Sequence, residues 1–262
     1  MTAVAERART AEPGTPVLLA RAAAAEWVRL RTVRTTWWCL LAAAVTVVGL
    51  GALAAADEAS IAEEGGALPA TLAGELGILP GQFALLVLAL LAVTSEHATG
   101  VFGPTLQWTP RRRVLLAARV AVPVAVATVA GVLLALAADV VAWSVAPSLT
   151  LPAGELAGSL VRVAAVLAAG GVLAVGVGLL LRSTAGALAT VFLLQLVLPF
   201  LLPGFGVEWL ADLGELAPGS GAVWTLLGEP DMSAAQATAL LVGWAAAALA
   251  AGGWSLLRRD AG

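Results

Sequence analysis

The sequence predicts an all-α membrane protein with six transmembrane helices and an amphipathic helix ahead of the first. Composition is the first sign: of 262 residues, 60% are hydrophobic and 12% charged, where soluble domains carry about 25% charged residues. Run length is the second, because a helix rises about 1.5 Å per residue and needs roughly 20 apolar residues to cross a hydrocarbon core about 30 Å thick. The third is that the arginines gather between alternate apolar runs.

Residues 1–16, "MTAVAERARTAEPGTP", lack the apolar core of a secretory signal and read as a disordered cytoplasmic tail. On that reading the first span acts as an uncleaved anchor, and residues 17–262 form a single six-helix domain. Within about 17–36, Leu19, Ala23, Trp27, Leu30 and Trp37 recur at spacings of three, four and seven, while Arg21, Glu26, Arg29 and Arg31 point elsewhere. Such an elbow helix, with Arg34 near its end, lies along the inner membrane surface. Its arginines meet anionic headgroups, and Trp37 and Trp38 sit in the aromatic belt.

The spans follow at about Trp37–Ala56, Leu76–Ser95, Leu116–Val145, Leu160–Leu181, Ala185–Leu202 and Ala234–Leu257. Pro80 falls in the first turn of the second span, where a missing donor costs little. The fourth aligns Gly170, Ala174 and Gly178, small residues that let a neighbouring helix approach closely, whether within the chain or between subunits. The loop after the fifth, residues 203–233, is apolar for a loop and is expected to form short interfacial or re-entrant helices.

Arginine placement orients the bundle. Arg7 to Arg34, Arg111 to Arg113 with Arg119, Arg182, and Arg258 with Arg259 all fall on one side, whereas the opposite loops hold eleven acidic residues and no arginine. Both termini are therefore expected in the cytoplasm of a multi-pass cell-membrane protein. Asp139, late in the third span, and Arg162, early in the fourth, depart from the pattern. An ion pair or interfacial snorkelling is the plain expectation, and a place at an outer path or gate the sharper one.

Several functions are excluded by missing residues. The chain has no lysine, so neither a P-loop ATPase nor Schiff-base chemistry can reside in it. Cys39 is the single cysteine and His97 the single histidine, which rules out an intrachain disulfide and a Cys/His metal cluster. Glu96 and His97 are helix neighbours about 100° apart, which argues against a catalytic pair. "GSG" at Gly219 to Gly221 has no adjacent base and reads as a turn. The chain is expected to be no enzyme, to hold no cofactor and to bind no nucleic acid.

The polar insert "TSEHATGVFGPTLQWTPRRR", Thr94 to Arg113, remains to be explained. Ser95, Glu96, His97, Ala98, Thr99 and Gly100 match a Ser-Glu-x-x-Thr-Gly-like signature, and Leu106, Pro110, Arg111, Arg112 and Arg113 match a short helix with a Pro-x-Arg element. Ala118 with Arg119, "LRSTAGA" at Leu181 to Ala187, Pro199 and the closing "RRDA" add to the set. Together these resemble the membrane-spanning subunit of ABC-2 type ATP-binding cassette transporters, except that Val101, Gly103 and Pro104 depart from the pattern. The resemblance implies a cytoplasmic coupling helix between the second and third spans, docked on a separate P-loop ATPase that carries ATP and magnesium in two copies. It implies a second permease subunit, identical or different, and export of an unidentified substrate such as an amphipathic drug, lipid or peptide. A membrane enzyme acting on lipid or peptide, or a non-transporting anchor or sensor subunit, stands as the alternative.

Overall fold

The computed structural model describes residues 14–65, 69–99, 112–146, 148–228 and 232–259. In chain order its helices are α1 (Thr15–Thr32), α2 (Arg34–Gly65), α3 (Thr71–Thr99), α4 (Arg112–Val145), α5 (Ala153–Leu181) and α6 (Thr184–Phe192). A π-helical turn (Leu193–Val197), α7 (Leu198–Leu201) and a 3-10 turn (Pro203–Phe205) continue α6, and α8 (Glu208–Glu215), α9 (Pro218–Leu227) and α10 (Ala234–Arg259) follow. Among the described residues there is no strand; one isolated bridge joins Pro69 to Thr150. Six helical segments are long and apolar enough to cross a membrane: α2, α3, α4, α5, α6 with its continuation, and α10. The chain is a multi-pass membrane protein.

Contacts at the helix ends fix the alternation of direction. At one end Arg29 of α1 donates to the Ala92 carbonyl late in α3, Glu26 faces Arg119 early in α4, and Arg182 after α5 reaches the Ser255 carbonyl late in α10 at 3.4 Å. At the other, the Ala70 N–H donates to the Thr150 carbonyl at 2.8 Å, and Arg162 early in α5 pairs with Glu75 early in α3. We call these the arginine end and the acidic end.

Several helices overrun the hydropathy boundaries, by up to four residues at the arginine end and by more at the acidic end. α2 runs on to Gly65, α3 begins at Thr71 and α5 at Ala153, so each extends past its apolar run at the acidic end. Apolar composition marks where lipid lies, whereas a helix stops where its terminal groups find other partners. Pro80 is thus the tenth residue of α3 and not part of its first turn. It removes one interior hydrogen bond, and Gln82 Nε2 donates to the Leu79 carbonyl beside it at 3.0 Å. The elbow ends earlier than expected: Val33 is extended at φ −82° and ψ 123°, and Arg34 is already the first residue of α2.

α5 is the central helix. Gly170 and Gly178 face α3, where an added Cβ would stand 3.1 Å from Leu86 and 3.0 Å from Val93. The small-residue stripe therefore serves a contact within the chain. On the opposite side, two residues along and about 200° around, Gly176 meets α10 so closely that a Cβ would lie 2.5 Å from the Ala248 carbonyl carbon. Arg182 ends α5 in the left-handed region at φ 53°, and Ser183 accepts from the Gly186 N–H at 3.3 Å to start α6. That explains "RSTAG" as a two-residue stop and start. In the apolar loop, α9 folds back into the bundle, burying Ala222 and Leu226 in the cluster that holds Leu85 and Val163.

Candidate functional site

At the arginine end, α1 is held by a buried ionic cluster. Glu26 and Leu30 form its inward face, while Leu19 and Trp27 are exposed. Glu26 pairs with Arg29 three residues on, and Arg119 Nε lies 3.5 Å from its other carboxylate oxygen. Arg119 is 0% exposed and is the largest fully buried side chain among the described residues. A charge at such a site is tolerated when it is paired; Glu26 supplies that partner from another helix. Glu26 thus points away from the lipid-facing stripe, as the periodicity predicts, whereas Leu30 packs inward instead of joining that stripe. Arg31, Arg34, Trp37 and Trp38 are exposed.

The residues matched to the coupling signature stand at the limits of the described structure. Glu96, His97 and Thr99 belong to the last turn of α3, but their side chains lie outside the described residues, as do Gly100, Leu106, Pro110 and Arg111 entirely. Arg112 opens α4, its side chain likewise outside, and Arg113 is exposed one residue later.

At the acidic end, Asp139 and Arg162 do not pair with each other. Asp139 is 0% exposed, and its Oδ1 accepts the Gly74 N–H at 2.8 Å. Gly74 is the fourth residue of α3, and the Ala70 carbonyl that an i to i−4 bond would give it accepts from the Ala73 N–H instead, at 3.2 Å. An anion at that position also meets the positive end of the helix dipole. Asp139 is therefore a cap delivered from α4. Arg162 pairs instead with Glu75, which is embedded in α3 and not in a loop. This pair lines a cavity of about 540 Å³ together with Thr71, Glu155 and Trp224. A second cavity, about 330 Å³, is lined by Pro199, Pro203, Glu215, Ser220 and again Trp224. Arg162 and Pro199 thus border separate cavities that share one tryptophan wall, and Asp139 borders neither.

The bundle interior contains a feature that reading only for charges misses. Gln195, 4% exposed, lies in the π-helical turn with neither amide atom hydrogen-bonded among the described residues. Gly170 and Gly219 press against it, and Gln82, 3% exposed, is likewise left with a free Oε1. Single π turns are frequent at functional sites, and a buried amide without partners is costly. Glutamine deep inside an apolar run was the available signal: Gln82 and Gln195 stand well within their spans, whereas Gln236, the remaining glutamine in the six spans, is in the first turn of the last.

Among the described residues no three His, Cys, Asp or Glu side chains come together in a way that could hold a metal ion. No family model and no curated protein matches the sequence.

Proposed function

We propose that the chain is the membrane-spanning subunit of an ABC-2 type exporter in the cell membrane, with both termini in the cytoplasm. ATP and magnesium belong to a separate P-loop ATPase present in two copies, and a second permease subunit completes the path. The supporting observation is how α1 is fastened. Residues 96–113 run from the last turn of α3 to the first residues of α4, and α1 is bonded to both helices through Arg29 with Ala92 and Glu26 with Arg119. A push on that segment is shared by the elbow and by two spans, as power delivered from a partner ATPase requires. The cavities around Arg162 and Pro199 suit the outer end of such a path, with Gln195 at its midpoint. This chain itself makes and breaks no bonds.

The test is purification of the tagged chain from its native host in a gentle detergent, with mass spectrometry of what stays bound. A P-loop ATPase in near-equal amount, lost together with transport when residues 99–110 are deleted but membrane insertion is intact, is the expected result. A chain that emerges alone, while a control transporter from the same host keeps its ATPase, removes the reading.

A further inference from the structure

The elbow joint encloses a slot whose walls and rim differ in chemistry. It lies between α1, the first turns of α2 and the last turns of α3, with a volume of about 160 Å³. Leu30, Val33, Cys39 and Leu88 make it chiefly apolar, and Arg29, Thr35, Thr36 and Ser95 are the polar residues of its lining. Thr36 is 9% exposed, and its hydroxyl makes no hydrogen bond among the described residues. The slot is too small for a drug-sized ligand, whose pockets run about 300–1,000 Å³. It suits a stretch of one hydrocarbon chain whose remainder stays in the bilayer.

The chain on either side of Val33, which lines the slot, carries positive charge. Arg31 at the end of α1 and Arg34 at the start of α2 are exposed on either side of extended Val33, and neither is ion-paired among the described residues. α2 begins at Arg34, so its first N–H groups add the favourable end of a helix dipole where an anion would sit. Trp37 and Trp38, 58% and 67% exposed, mark the level at which indole rings meet headgroups. A bound molecule that satisfies slot and rim together has an acyl chain and an anionic head.

We propose that the joint between α1 and α2 is a binding site for one anionic phospholipid, its acyl chain in the slot beside Cys39 and its phosphate against Arg31, Arg34 and Thr36. The site needs no partner chain and does not rest on the exporter reading. Occupied, it wedges the elbow against α3 and makes the angle at Val33 depend on lipid composition.

The purified full-length chain, in detergent, is titrated separately with phosphatidylglycerol and phosphatidylcholine of equal chain length, and bound lipid is counted by native mass spectrometry. One phosphatidylglycerol per chain should bind markedly more tightly than phosphatidylcholine, and each of Arg31→Gln and Arg34→Gln should weaken it about five-fold. Both arginines are exposed, so these variants should fold. Cys39→Phe, which fills the slot, should abolish the tight site. Equal affinity for the two lipids, no binding of either, or a preference that survives the arginine variants would each overturn the proposal, the last by assigning the effect to charge elsewhere.

Discussion

Replacing Asp139 probes whether it is a helix cap or a path residue. Its Oδ1 takes the Gly74 N–H at 2.8 Å with the side chain fully buried. A hydrogen bond to a charged group contributes about 1.5–3 kcal/mol, and an anion at a partly buried helix start about 0.3–2 kcal/mol. Asp139→Asn keeps an acceptor oxygen of the same shape and loses only the charge, so it should cost about 1 kcal/mol. Asp139→Ala also leaves the Gly74 donor facing a void and should cost roughly 3 kcal/mol. For a chain this long, about 1 kcal/mol corresponds to roughly 2–4 °C in Tm. The expected shifts are thus about 2–4 °C for Asn and about 6–12 °C for Ala.

Gly74→Ala gives an independent reading of the same contact. Alanine is the better helix former by about 1 kcal/mol, yet its Cβ would stand 2.5 Å from Asp139 Oδ1 and 2.9 Å from the Ala135 carbonyl. The prediction is a net loss of stability. Thermal unfolding in detergent, followed by tryptophan fluorescence, measures all three variants. The capping argument is refuted if Asn destabilises as much as Ala, or if Gly74→Ala raises Tm.

Two other substitutions test buried polar groups with opposite expected signs. Breaking the cluster at the elbow by Glu26→Gln leaves fully buried Arg119 short of a counter-charge. It should cost about 3–5 kcal/mol, whereas Glu26→Gln with Arg119→Met should cost less than the two singles summed; strict additivity in a denaturation cycle would show that the two charges do not interact. Gln195→Met conserves volume and removes an amide with no partners, so stability should rise by about 1–3 kcal/mol while transport falls. A less stable Met variant would mean that the amide is satisfied inside the bundle.

What the sequence conveys about this bundle is depth along each helix; what it withholds is rotation about the axis. The placement of Asp139 and Arg162 near one face was legible because residue number converts to height at about 1.5 Å per step. That they turn to Gly74 and Glu75 was not, since the partner depends on which side of each helix meets α3. Glu75 was further hidden because polar residues before Leu76 read as loop, although the helix had already begun at Thr71. The stripe of Gly170, Ala174 and Gly178 was visible as a contact surface, but its occupant, α3, was not. Gly176, on the reverse of the same helix, left no separate mark among so many alanines. At the elbow, periodicity sorted Glu26 from the apolar stripe, and an acid buried beside Leu30 on the inward face of the helix is explained only once Arg119 is found opposite.

The close crossing of Gly176 with α10 has a consequence for how the protein is made. α5 is synthesised with one small-residue face that α3, already in the membrane, can cover at once. Its other face can close only on Ala248 and Gly252, some seventy residues later in the chain. Until α10 leaves the insertion machinery, the most central helix of the bundle carries a groove narrow enough for backbone contact but filled only by lipid. A chaperone or quality-control protease that senses incomplete membrane proteins would find its signal there, and chains that stall before α10 should be cleared faster than those that stall before α4.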